Sequence, residues 1–157
     1  MERKLSTLEL TLRQRPYVKL TGGASRSERT YLDFVVDGQS LLDGAPYDLI
    51  TILCREWSLE EREKSVRRLL GEESADFQED RRSLLVCAEC GDIGCGAVSI
   101  ILRLSDKTVR WQDFGYQNNY EPEIHGEHLK RLGPFEFDLE DYRSKLIRGL
   151  DVLRAHL

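Results

Sequence analysis

The run Cys87-Ala-Glu-Cys-Gly-Asp-Ile-Gly-Cys-Gly96 crowds three thiols into one glycine-rich turn, and thiols are the side chains of this chain best suited to chemistry. Cys87-x-x-Cys90-Gly has the form of half a zinc knuckle, in which two thiolates approach one ion because the glycine lets backbone amides fold toward sulfur. Cys95 adds a third thiol. Candidates for a fourth zinc ligand are Cys54, His125 and His128, and the sequence holds no second C-x-x-C pair. Strand alternation places Val86 and Ala88 on one face and Cys87 on the other, so the three sulfurs are expected to stay apart. Gly91, Gly94 and Gly96 are then expected to supply positive-φ positions in a loop between strands, with the cysteines as small hydrophobes beside it. The expectation is a structural hairpin connection and no cofactor; if a metal binds at all, its ligands are Cys87, Cys90 and Cys95. Redox use of C-x-x-C needs the first thiol at a helix N-terminus, and Gly-Asp-Ile-Gly-Cys-Gly does not start a helix.

His125-Gly-Glu-His128, with Glu121, Glu123 and Glu127 nearby, lacks the i, i+4 spacing that puts two histidines on one helix face, and reads as a solvated loop. A Cys95–His128 nucleophile pair lacks an identifiable orienting carboxylate or oxyanion hole, so no residues are assigned as catalytic and no enzymatic activity is expected. In Trp111-Gln-Asp-Phe-Gly-Tyr116, alternation puts Trp111 and Asp113 on one face and Gln112 and Phe114 on the other. Aromatic anchors rimmed by acid are the composition of a protein-binding patch, and Asp113, Tyr116, Tyr120, Glu121, Glu123 and Glu127 form the expected partner-binding set.

The elements that must position these residues follow from periodicity. Leu5–Leu12 alternates as a strand, Tyr17–Leu20 extends it or forms a short second piece, and Thr21–Glu28 is a loop by its glycine and serine content. Tyr31–Val36 is a strand closed by the Asp37-Gly38 turn. From Ser40 to Trp57, the spacing of Leu41, Leu42, Leu49, Ile50, Leu53 and Cys54, interrupted at Gly44 and Pro46, predicts a short turn followed by a helix. Ser58 with Glu61 is a capping box opening a helix through Leu70 that Gly71 ends, with Val66, Leu69 and Leu70 on its apolar face. Ser83–Cys87, Ala97–Leu104 and Thr108–Phe114 read as consecutive antiparallel strands, followed by an ordered loop over Gly115–Lys130 with one helical turn. Phe135–Phe137 is a short strand, and Asp138 caps a closing helix carrying Tyr142, Leu146, Leu150 and Leu153.

The 157 residues suit a single domain over 1–157, and 40% hydrophobic with 32% charged residues exclude disorder. No apolar run is long enough for a membrane span. The N-terminal Met1-Glu-Arg-Lys-Leu-Ser lacks an export signal, so a cytoplasmic protein with Cys54, Cys87, Cys90 and Cys95 reduced is expected. A net charge of -5 and scattered basic residues argue against nucleic acid. Acidic runs at Glu60–Glu63, Glu72–Asp80, Glu121–Glu123 and Asp138–Asp141 suit a basic protein partner.

The residues of Leu84–Gly96, Val109-Arg-Trp-Gln-Asp-Phe114 and Gly133-Pro-Phe-Glu-Phe-Asp138 with Tyr142 resemble a group of small uncharacterised bacterial proteins. These carry a C-G-D/E-x-G-C turn, a V-x-W-x-D-F strand and a G-P-F-x-F-D junction. In that group a cysteine often stands two residues before the one matching Cys90, whereas this chain has Cys87 three before it. The resemblance implies a fold and a bacterial cytosol rather than an activity. In size and acidity the chain is also similar to immunity proteins of bacterial toxin systems, acidic α+β domains that cover a toxin's active site. The expectation is therefore an α+β fold, an antiparallel sheet of about five to six strands with helices on one face. Its expected function is a non-enzymatic immunity protein, an antitoxin that binds a basic toxin domain. The rival reading is a small zinc-binding or cysteine-dependent enzyme domain.

Overall fold

The computed structural model describes residues 4–43, 45 and 47–155. Strands β1 (Leu8–Arg15), β4 (Arg29–Val36) and β5 (Gln39–Ser40) form a three-stranded sheet in the order β1-β4-β5, and β2 (Val18–Lys19) with β3 (Ser25–Arg26) forms a short hairpin. Strands β6 (Leu49–Thr51), β7 (Arg81–Cys87), β8 (Ala97–Leu104), β9 (Thr108–Gln117) and β10 (Phe135–Asp138) form a curled five-stranded sheet ordered β10-β9-β8-β7-β6. All of these pairings are antiparallel, and with helices α1 (Leu59–Leu69) and α2 (Leu139–Ala155) they make an α+β fold. No helix among the described residues is long and apolar enough to cross a membrane.

Backbone links tie the two larger sheets together at both ends. Beyond β6 the chain bridges to β4 through Tyr31 and Cys54, with Leu32 N–H donating to Leu53 O at 2.9 Å and Arg55 N–H to Thr30 O at 2.7 Å. Ahead of β1, Ser6 N–H donates to Glu136 O of β10 at 2.7 Å. The strand order thus runs from β10 across to β6, on to β4 and β1, and back to β10. Such linkage satisfies edge N–H and C=O groups that would otherwise be open to foreign strands.

The end signals of both helices act as their residue types dictate. Ser58 accepts a hydrogen bond from Glu61 N–H at 3.1 Å, and Asp138 Oδ2 accepts one from Asp141 N–H at 2.9 Å. Helix α2 lies against β1, β4, β9 and β10 and touches α1, burying Tyr142, Leu146 and Leu153. Helix α1 buries Arg62 and Ser65 together with Val66 and Leu69, a more polar face than its leucines alone suggest. At the centre sits Trp111, whose Nε1–H donates to Tyr142 Oη at 3.1 Å while Tyr142 donates onward to Leu69 O at 2.7 Å. The rings of Phe34, Phe137 and Tyr142 meet Trp111 edge-on at 5.5, 5.1 and 6.0 Å.

Several expectations are corrected. The predicted helix across Ser40–Trp57 is instead β5's last residue, turns and β6; its interruption points, Gly44 and Pro46, lie outside the described residues. Leu49, Ile50 and Thr51 pair with Cys87, Val86 and Leu85, and a strand buried on both faces is a continuous apolar run whose spacing imitates a helix. Strand β1 runs on to Arg15 because β4 offers partners as far as Arg29. The Thr21–Glu28 loop contains β3. Asp113, at φ 56°, sits where the β8–β9 register slips. That bulge turns both Trp111 and Phe114 into the core, where alternation would separate them.

Candidate functional site

The cysteine turn leaves β7 at Cys87 and folds back at once. Gly91 N–H donates to Cys87 O at 2.9 Å, Asp92 N–H points at Cys90 Sγ from 3.4 Å, and Asp92 Oδ1 accepts from Gly94 N–H at 2.8 Å. That carboxylate starts a 3-10 turn over Ile93–Cys95, which Gly96 ends at φ 111° before β8. The consequence overturns the alternation argument: the sulfurs of Cys87, Cys90 and Cys95 all lie within 4.8 Å of one another. Cys90 Sγ and Cys95 Sγ are 3.0 Å apart, and all three are free thiols. Alternation governs only side chains within the strand, and Cys87 is the last residue of β7, so the turn decides where its neighbours go.

Gly91 and Gly96 are fitted to close approach as well as to positive φ. A Cβ on Gly91 would stand 2.9 Å from the Trp57 ring, and one on Gly96 would stand 2.0 Å from Tyr116 Oη. Gly94 is not among the positive-φ residues, contrary to expectation. Trp57 and Tyr116 are thus two walls of the turn. Tyr116 stacks on Tyr47 with ring centres 4.2 Å apart and donates its hydroxyl to Cys95 O at 3.3 Å. Behind the turn, Arg29 donates to Ala88 O at 2.9 Å and Glu89 O at 2.7 Å, while Glu89 accepts from Ser27 N–H and Oγ–H, both at 2.8 Å, and from Arg15 at 2.9 Å. These contacts join residues 59 to 74 positions apart and were invisible in the sequence.

The electrostatics differ from thiol to thiol. Burial opposes ionisation of Cys87, but the N–H groups of Cys90 and Glu89 and the neighbouring thiols hold it below its usual value. Burial and the contact with Cys95 push Cys90 up to about 12. Cys54 is fully buried, pushed up to about 11 by that burial, and lies in a separate cluster with Tyr31, Ile50 and Ala88 rather than on a helix face. Neither Cys54, His125 nor His128 joins the group of sulfurs.

The six residues expected to bind a partner do not form one patch. Tyr120 and Glu121 line a groove of about 340 Å³ whose opposite wall is Asp76, Phe77, Gln78 and Glu79, so two acidic runs far apart in sequence face each other. Among the described residues, no lysine or arginine lines it. The loop is held at its base by Tyr116 and His125, which exchange backbone hydrogen bonds at 2.8 and 2.7 Å, and Asn118 Oδ1 accepts from Tyr120 N–H at 3.2 Å and Glu121 N–H at 2.9 Å. Tyr120 is left 71% exposed. Glu123 is exposed on the same loop. Asp113 lies in a different hollow with Arg81, Arg110 and Lys130; Tyr116 belongs to the cysteine turn; Glu127 pairs with Lys130 at 2.8 Å.

Arg81 was not anticipated. Buried at the start of β7, it donates from Nε to Ser99 Oγ at 3.0 Å and Gln117 Oε1 at 3.1 Å, and from Nη2 to Ser99 O at 3.1 Å and to Asp113 O at the bulge. Burial lowers its pKa. An Arg-Arg pair opening an otherwise apolar strand was the available signal. Compared with family models, curated proteins and solved structures, the chain gives no match.

Proposed function

We propose that the protein is a non-enzymatic protein-binding module, most concretely a cytoplasmic immunity protein that neutralises a bacterial toxin by receiving a basic segment of it. The observation that carries this reading is the groove with Asp76 and Glu79 on one wall and Glu121 on the other, lined among the described residues by no basic side chain, with Tyr120 exposed at its edge. Aromatic side chains with a polar tip are common anchors at interfaces, and opposite charge speeds encounter and selects the partner. The net charge of -5 supports the same choice over nucleic acid.

The decisive experiment is a pull-down and titration calorimetry against the toxin domain encoded beside the gene, with growth rescue of a toxin-sensitive cell. Binding that weakens at high salt and in Tyr120→Ala and Glu121→Lys is expected. A chain that neither binds nor protects ends the proposal. A second reading, a small zinc-binding or cysteine-dependent enzyme domain, draws on one observation, the convergence of Cys87, Cys90 and Cys95.

A further inference from the structure

We propose that Cys87, Cys90 and Cys95 form a binding site for one thiophilic metal ion, Zn²⁺, with three protein ligands and a fourth position open to solvent. The inference does not rest on the groove reading and can fail without it.

Three observations carry it. First, three sulfurs lie within 4.8 Å of one another, and since bonds of about 2.3 Å to a tetrahedral zinc hold thiolates roughly 3.8 Å apart, Cys90 and Cys95, 3.0 Å apart, need only separate by about 0.8 Å to share an ion. Second, the backbone N–H of Asp92 points at Cys90 Sγ from 3.4 Å, the kind of contact by which a knuckle stabilises charge on a thiolate. Third, the turn is braced from outside by Arg29 on Ala88 O and Glu89 O, by Trp57 against Gly91 and by Tyr116 against Gly96, so the three sulfurs are brought together without a metal. Binding releases the thiol protons to solvent.

Cys90 and Cys95 are exposed, so an ion reaches the site directly. Among the described residues no fourth His, Cys, Asp or Glu joins the group, and the fourth ligand is assigned to water or a group carried by another molecule. Soft sulfur donors select zinc over magnesium or calcium.

The test uses the full chain, tag-free, purified without oxygen and with reductant. Elemental analysis is expected to find one zinc per chain. Replacement by Co²⁺ is expected to give thiolate-to-metal charge-transfer absorption in the near ultraviolet, lost in Cys87→Ser, Cys90→Ser and Cys95→Ser and kept in Cys54→Ala. Circular dichroism checks that each variant is folded; Cys90 and Cys95 are exposed, so at least these two variants keep the fold. Absence of zinc uptake by the reduced, folded chain overturns the proposal. So does uptake unchanged in Cys90→Ser, or a Cys90–Cys95 disulfide in the freshly prepared protein, which would consume two of the ligands.

Discussion

The two ends of β9 solve opposite problems. At Val109–Trp111 every side chain that matters is sealed: Trp111 is 0% exposed, caged by Phe34, Phe137 and Tyr142, and its one polar atom is satisfied by Tyr142. Five residues on, Tyr116 rests on Tyr47 and the cysteine turn, and the chain then opens into the acidic loop. Between them lies the Asp113 bulge, braced by Arg81. The lesson is that one strand serves both stability and chemistry because a bulge lets its two halves follow different rules of facing.

Trp111→Ala is expected to have the largest effect, a loss of about 3–5 kcal/mol in urea unfolding, because it removes the hub and leaves a cavity. Tyr116→Phe should change stability by no more than about 0.5 kcal/mol, since its hydroxyl contact lies at the exposed end. Equal losses from the two variants would erase the contrast between the ends.

Tyr142→Phe comes next. It strips the acceptor from Trp111 Nε1 and the donor from Leu69 O, both buried, and should cost about 1–3 kcal/mol by the same measurement. Gly96→Ala should cost a similar amount, about 1–3 kcal/mol from its φ of 111°, and should also shift Tyr116 fluorescence as the new Cβ meets the ring. A neutral Gly96→Ala would mean that the turn and Tyr116 are not in contact in solution.

The smallest effect belongs to pH. Asp37 accepts from Thr7 N–H at 2.8 Å and, with Ser6, is held below its ordinary 3.8. A depressed carboxyl contributes stability that is present above pH 3.8 and lost as pH falls through the lower folded value. Asp37→Asn should therefore be slightly less stable than the parent chain at pH 7, with the difference shrinking as pH falls below 3.8. A difference that grows on acidification would reverse the assignment.

Much of the fold was legible locally. The Ser58 and Asp138 caps, the Ala97–Leu104 strand and the buried face of α2 follow from residues within one or two turns of each other, where short-range sterics and hydrogen bonding decide the outcome. Ser40–Trp57 was misread because its hydrophobic spacing fits a helix and a doubly buried strand equally well, and only the presence of β7 beside it chooses. The groove was half legible: both acidic runs stood out, but not that they face each other.

The cysteine turn divides the same way. Composition alone determined that Cys87, Cys90 and Cys95 share a glycine-rich reversal, because glycine is the residue that takes positive φ without a steric penalty. Whether the sulfurs meet was decided by the tertiary structure, through Arg29 and Glu89 holding the turn to β4 and the Ser27 loop and through Trp57 and Tyr116 closing on its glycines. Those partners come from distant parts of the chain, and contacts of that kind exist only once the sheets have closed.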